Sequence, residues 1–80
     1  MIRVVYVNAD GNGELAWEDR EDAGVVLHTF TQGAVLNLRY SNGSFWRGTY
    51  SQACFDKEID DDGNIVLESL YLYFNHTDSQ

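Results

Sequence analysis

The sequence predicts a mainly β protein: a single small antiparallel sheet, curled or closed into a barrel-like domain that spans residues 1–80. Two observations carry this prediction. Short segments rich in β-branched and aromatic residues alternate with turn sequences of Gly, Asn and Asp, and the chain contains no proline. Hydrophobic residues make up 44% of the chain, which is enough for one core although the net charge is −8. Closure would also hide the edges of the sheet.

Three strands are predicted in the first part of the chain. Residues 2–7 are apolar on both alternate faces, as expected of a strand that is covered on both sides or placed centrally in a sheet. After the turn sequence at residues 10–13, alternation over residues 14–17 predicts a short returning strand. Residues 25–31 are rich in β-branched and aromatic side chains and predict the third strand.

The acidic segment between the second and third strands is open to two interpretations. A turn or a single short helical turn near residues 17–23 fits its charged composition. A longer helix over residues 14–23 also fits, with acidic residues in its first turn and Gly24 after its last. We favour the short strand followed by the turn.

Four further strands are predicted in the second part of the chain. They cover residues 34–40, 45–50, 54–59 and 65–74. The Asn-Gly pair at positions 42 and 43 predicts a tight hairpin between the first two of them. The Asp-rich sequence at residues 60–64 predicts a second hairpin. Residues 75–80 are polar, and we expect a frayed tail there.

Twelve of the thirteen acidic residues lie in two bands. Six lie between Asp10 and Asp22, and six lie between Asp56 and Glu68. Residues 23–55 contain none. Such bands either keep the turns of a small protein soluble or present a negative surface to a basic partner. The candidate partner-binding carboxylates are Glu14, Glu18, Asp19, Glu21, Asp22, Asp56, Glu58, Asp60, Asp61 and Asp62. The aromatic residues that would serve either as anchors beside them or as core are Trp17, Trp46, Tyr71 and Tyr73.

Composition argues against several classes of function. The five Lys and Arg residues are too few and too scattered for direct nucleic-acid binding. No apolar segment approaches the ~20 residues of a membrane-spanning helix. The start of the sequence lacks the features of a signal peptide. Cys54 is the only cysteine, which favours a reducing compartment, and we expect a cytoplasmic protein.

The sequence contains no catalytic constellation. We expect His28 in an apolar strand, His76 in the tail and Cys54 partly buried in a strand. This spacing does not suit nucleophilic catalysis. One cysteine and two histidines are also too few for a closed zinc site. We therefore expect no enzyme and no bound cofactor.

Residues 8–19 read NADGNGELAWED, which resembles the calcium loop of an EF-hand. The resemblance implies oxygen ligands from Asn8, Asp10, Asn12, the carbonyl of Glu14, and Asp19. The sequence departs from the pattern with Asn at the first loop position, Ala at the ninth and Asp at the twelfth, and a strand is predicted before it. A calcium-binding module is an alternative, and we favour an ordinary turn.

Residues 42–49 read NGSFWRGT, which resembles the hairpin of Tudor and related SH3-like modules. In those modules an aromatic cage holds a methylated cation by cation–π attraction. The cage residues implied by the resemblance are Tyr40, Phe45, Trp46 and Tyr50. Because Phe45 and Trp46 are adjacent in a strand, they should point to opposite faces, which argues against the cage.

The function that we predict is the inhibition of a basic, nucleic-acid-binding protein. In its size and acidity the chain resembles the small acidic proteins with which phages block host restriction or CRISPR nucleases, some of which mimic nucleic acid. The resemblance implies an anti-CRISPR or anti-restriction protein in the host cytoplasm. The main alternative is a structural or assembly subunit of virion type, whose strands pack against other chains. A homodimer is compatible with either function.

Overall fold

Five strands and one short helix form the fold. The computed structural model describes residues 1–11 and 13–77. In chain order the elements are β1 (Ile2–Asn8), β2 (Gly13–Arg20), α1 (Gly24–Thr29), β3 (Val35–Arg39), β4 (Phe45–Ile59) and β5 (Ile65–His76). All five strands belong to one sheet in the order β2-β1-β5-β4-β3. The prediction of a mainly β protein with a single sheet is confirmed.

β1 lies inside the sheet, between β2 and β5. It pairs antiparallel with β2 but parallel with β5, so the prediction of an entirely antiparallel sheet is wrong at this pair. Val4 and Val5 point to opposite faces, and they are 0% and 3% exposed. A strand that is apolar on both faces suits such an interior position.

The second part of the chain forms the two predicted hairpins. Gly43, with a φ of 94°, lies in the β3–β4 turn, and Gly63, with a φ of 87°, lies in the β4–β5 turn. Residues 45–59 form one strand rather than the two predicted. A register shift between Tyr50 and Gln52 absorbs one residue, so the strand bends without losing its pairing to β5.

The helix lies later in the chain than predicted. α1 begins at Gly24 and not near residues 17–23, and it replaces the strand predicted over residues 25–31. The side chains that α1 and the residue after it add to the core are Val26, Leu27 and Phe30. A strand would divide these positions between two faces, whereas a helix directs them to one. Their burial outweighs the β preference of valine and threonine.

The two faces of the sheet are covered differently. We call the face that packs on α1 the inner face, and the opposite one the outer face. The inner-face core consists of Ile2, Val4, Ala23, Val26, Leu70, Leu72 and Phe74.

The two edges of the sheet approach each other. Beyond β3, the Tyr40 hydroxyl donates a hydrogen bond to the Leu15 carbonyl oxygen on β2, at 3.1 Å. This contact links the two edge regions, and the sheet is curled into a half-barrel, as predicted.

Residues 75–77 continue the sheet, so the prediction of a frayed tail is wrong for them. Asn75 and His76 pair with residues of β4. The Thr77 N–H donates to the Arg47 carbonyl oxygen at 3.0 Å. Residues 78–80 lie outside the part of the chain that the structure describes.

The β4–β5 hairpin projects beyond its neighbours. β1 pairs with β5 only from Ser69 to Phe74, so residues 57–68 form a two-stranded extension that we call the arm. The molecule is accordingly elongated, with extents of 51 × 28 × 23 Å. The exposed apolar side chains of the arm are Ile59, Ile65, Val66 and Leu67.

A candidate protein-binding surface

Strand register brings one acid from each acidic band into the same row on the outer face. Asp19 on β2 is opposite Arg3 on β1, which lies beside Ser69 on β5. Ser69 is in turn opposite Asp56 on β4. Directly paired residues point to the same face. Asp19 and Asp56 are therefore three strand spacings apart, about 14 Å at ~4.8 Å per spacing.

The next two rows of the outer face are aromatic and apolar. One row runs through Trp17, Val5, Tyr71 and Cys54, and the other through Glu14, Val7, Tyr73 and Gln52. Val5 and Val7 are only 3% and 5% exposed, because the larger side chains beside them shield them. Trp17 is 55% exposed. The outer face thus has an aromatic centre that is bordered by carboxylates.

Arg3 orients two side chains of this surface. Its Nε lies 3.1 Å from Oδ1 of Asp19, and its guanidinium carbon lies 4.1 Å from the centre of the Trp17 ring. The hydrogen bond to Asp19, together with the charge of that carboxylate, raises the pKa of Arg3. An exposed pair of this kind adds little to stability. It does fix the positions of Trp17 and Asp19 relative to each other.

Four of the ten predicted carboxylates share the outer face. We call them the outer-face acids: Glu14, Asp19, Asp56 and Glu58. All four are exposed. Within residues 1–11 and 13–77, Asp19 is the one member of the set that has an ion pair. The other three carboxylates are available to cations of another molecule.

Glu18 belongs to the inner side of the sheet. The Tyr6 hydroxyl donates to it at 2.7 Å, and Nη1 of Arg20 donates at 3.0 Å. Burial, followed by the hydrogen bond to Glu18, raises the pKa of Tyr6. Glu18 is therefore engaged within the fold, and the structure does not place it with the outer-face acids.

Glu21 and Asp22 lie between β2 and α1. The Asp22 carboxylate accepts a hydrogen bond from the Gly24 N–H at 2.8 Å, at the start of the helix. This short connection leaves both side chains exposed, away from the rows of the outer face.

The three remaining carboxylates form the turn at the tip of the arm: Asp60, Asp61 and Asp62. Oδ1 of Asp60 accepts hydrogen bonds from the backbone N–H groups of Asn64 and Asp62, at 2.9 Å each. The Asn64 hydrogen bond is the largest cause that lowers the pKa of Asp60. Asp60 thus stabilises the turn, and the ten predicted residues do not form one continuous surface.

The predicted aromatic anchors divide between the two faces. Trp17, Tyr71 and Tyr73 lie on the outer face. Trp46 lies on the inner face, where its ring centre is 5.4 Å from that of His76 and it packs against the core. The core interpretation is correct for Trp46. The alternation along β5 is the sequence feature that separates Tyr71 and Tyr73 from the inner-face core, since the even-numbered residues from 70 to 74 are buried.

The described residues of the 8–19 segment are not arranged as a calcium loop. Asn8 is opposite Gly13, whereas Asp19 is opposite Arg3 near the other end of β1. The two ends of the proposed ligand set are thus roughly 17 Å apart, at ~3.4 Å per residue. Asn12 lies outside the described residues. Among the others, no group of three His, Cys, Asp or Glu side chains is arranged to hold a metal ion.

The aromatic residues of the Tudor-like hairpin do not converge on a cage. Tyr50 and Trp46 face the inner side, where the Tyr50 ring stacks on Phe30 with centroids 6.2 Å apart. Phe45 is exposed on the opposite face, as alternation requires. No cation site remains between these rings.

Other side chains lie in unexpected places. Cys54 is exposed rather than partly buried, and His28 is exposed on α1 rather than within a strand. Sequence reasoning missed the pair Arg39 and Arg47, which share the outer face at the end of the sheet opposite the arm. The sequence feature that predicts this pair is the position of both arginines in neighbouring predicted strands of the segment 23–55, which has no acidic residue.

A scan against protein-family models found no match, and neither did searches of curated proteins and solved structures. Among the described residues, no helix is long and apolar enough to cross a membrane.

Proposed function

We propose that this protein is an inhibitor whose outer face binds the basic site of a nucleic-acid-binding protein. One observation supports the proposal: register places acids from both sequence bands on the same face of the sheet as the exposed ring of Trp17. The exposed outer-face acids would occupy the arginine and lysine side chains that normally grip phosphates. The chain would act through protein contact and would not bind nucleic acid itself.

The charges and the aromatic residues would have different roles in binding. Long-range attraction to a net charge of −8 would speed the encounter with a basic surface and orient it. Trp17, Tyr71 and Tyr73 would supply much of the affinity, because large aromatic side chains dominate interface energies. An anti-CRISPR or anti-restriction role in the host cytoplasm is the biological setting that we infer for such a surface.

The test compares two triple variants that change the net charge equally. Glu14→Lys, Asp56→Lys and Glu58→Lys together reverse the outer-face acids that have no ion pair in the described chain. Glu21→Lys, Asp61→Lys and Asp62→Lys reverse three acids elsewhere. Immobilised wild-type protein and both variants are exposed to host lysate at ~50 mM salt, where surface charges are weakly screened. Captured proteins are identified by mass spectrometry.

We expect wild-type protein and the second variant to capture the same nucleic-acid-binding protein, and the first variant to lose it. Added DNA or RNA should displace the captured protein, because both ligands would compete for one basic site. Equal capture by both variants would contradict the proposed surface. Capture that nucleic acid cannot displace would contradict mimicry.

A structural or assembly subunit is the second candidate function. The arm favours it, since Ile59, Ile65, Val66 and Leu67 are each 49–59% exposed on a projecting hairpin. Exposed apolar surface of this kind is typical of contact with another chain. Open-ended association through the arm would persist in 1 M NaCl, because apolar contacts are little screened. Substituting Val66 and Leu67 with Thr should abolish it.

A further inference from the structure

The outer face has a basic end as well as an acidic one. Arg39 is opposite Phe45, and Arg47 is opposite Asn37, in the β3–β4 pair. Both arginines are exposed. In the part of the chain that the structure describes, neither has an ion-pair partner, whereas the other three Lys and Arg side chains all do.

β4 carries this change of charge along one face. Because the register shifts between Tyr50 and Gln52, the outer-face positions are odd-numbered before the shift and even-numbered after it. In order along the strand, these positions are Phe45, Arg47, Thr49, Gln52, Cys54, Asp56 and Glu58. Arg47 and Asp56 are almost equally distant from Gln52. The strand is therefore complementary in charge to a second copy of itself that runs in the opposite direction.

We propose that two copies of this chain form a symmetric dimer through their outer faces, with their β4 strands antiparallel and a two-fold axis near Gln52 and Tyr73. Arg47 of each copy then lies over Asp56 of the other, and Arg39 lies beside Glu58 of the other. Phe45 reaches the exposed Leu67 of the second copy. Each contact occurs twice, as a closed two-fold interface requires.

The centre of this interface is aromatic. Tyr73 lies in the row of Gln52 at the axis, and Tyr71 lies in the next row with Cys54. Both tyrosines are half-buried within one copy, so a second copy would complete their burial. An apolar centre with charged pairs at both ends is the usual anatomy of a stable interface.

The dimer would regulate the proposed inhibitor. Arg39 and Arg47 of one copy would occupy Asp56 and Glu58 of the other, so a basic target would have to displace the second copy. This regulatory role rests on the proposed function. The dimer itself does not, because its contacts come from the chain alone.

Sedimentation velocity at ~50 mM NaCl tests the dimer through a charge exchange. One variant carries Arg39→Glu and Arg47→Glu, and the other carries Asp56→Lys and Glu58→Lys. Each variant alone would place like charges in contact, so we expect its dimer Kd to rise at least ~10-fold. An equimolar mixture should restore the dimer, because both contacts of the mixed pair are then complementary.

The controls separate charge from folding and from function. Glu21→Lys, which makes the same charge change as Asp56→Lys but away from the outer face, should leave the dimer unchanged. Circular dichroism checks that each variant is folded. Wild-type protein that stays monomeric up to ~0.2 mM would overturn the proposal, and so would folded variants that fail to associate when mixed.

Capture of the target distinguishes the two proposals. The Arg39→Glu and Arg47→Glu variant keeps every outer-face acid, so we expect it to bind the target at least as well as the wild type does. A dimer without any captured target would refute the proposed function alone. Target capture by a strictly monomeric wild type would refute the dimer alone.

Discussion

Position 48 must be a glycine because its neighbours leave no space for a side chain. A Cβ there would meet the Trp46 ring and would lie 2.8 Å from the carbonyl oxygen of Asn75. Trp46 in turn packs against the inner-face core. The backbone at Gly48 is not in the left-handed region, so packing and not turn geometry requires the glycine.

Gly48→Ala should destabilise the protein by roughly 1–3 kcal/mol, because the Trp46 ring or β5 must move to accept the methyl group. The matched control is Gly13→Ala, where a Cβ meets nothing within 4 Å. The control should change the free energy of unfolding by less than about 0.5 kcal/mol. Urea denaturation measures both, and equal effects would show that Trp46 does not constrain position 48.

Tyr6 gives the protein a specific response to alkaline pH. Its raised pKa, caused first by burial and then by Glu18, means that the folded state holds the phenol proton more tightly than the unfolded state. The associated stabilisation is complete below the usual tyrosine pKa near 10. It is lost as the pH rises above that value towards the pKa of the folded state.

The Tyr6→Phe variant should therefore be less stable than the wild type at pH 8, by about 1 kcal/mol for one hydrogen bond. Its free energy of unfolding should also fall less steeply between pH 9.5 and 11 than that of the wild type. Urea denaturation across this range measures the two slopes. Parallel slopes would mean that the Tyr6 hydroxyl does not contribute to the pH dependence.

At the scale of elements, the arm differs from the rest of the sheet. Its two strands lack a third neighbour, and nearly all of its side chains are exposed. A two-stranded hairpin without a packed face is marginally stable in water. The arm depends on its turn, where Asp60 accepts two backbone hydrogen bonds, and on the rigid end of β5.

Amide exchange should reveal this difference. We expect the amides of residues 57–59 and 65–67 to exchange from openings that cost at least ~2 kcal/mol less than global unfolding. Residues 70–74 should exchange only with global unfolding. NMR-detected exchange on the Arg39→Glu and Arg47→Glu variant avoids protection by a second copy. Equal protection of both segments would indicate that the arm is part of the core.

Element prediction succeeded where local chemistry decides structure. The Asn-Gly and Asp-Gly turns fix both hairpins, and the sequence predicts both of them. The sequence predicts a strand over residues 25–31 because valine and threonine favour strands locally, whereas burial of Val26 and Phe30 selects a helix. No local pattern could reveal that choice, since it depends on contacts with β5.

At the scale of the whole molecule, strand register decides how charge is distributed over the two faces of the sheet. The sequence shows two acidic bands, but not that Asp19 and Asp56 share a face. Their placement on one face depends on the pairing of β1 with β5. These two strands are distant in the chain, so no turn sequence between them predicts the pairing. The same register identifies the outer-face acids among the ten candidates. It also separates them from Glu18 and Asp60, which serve the fold.

Parallel pairing of β1 with β5 also has a consequence for how the protein folds. Arg3 lies beside Ser69, more than sixty residues away along the chain, so the middle of the sheet has a high contact order. The β3–β4 and β4–β5 hairpins can form early from local contacts. β1, which is apolar on both faces, can be covered only after β5 has been synthesised. During translation it is a segment that chaperones would recognise and that could aggregate in their absence.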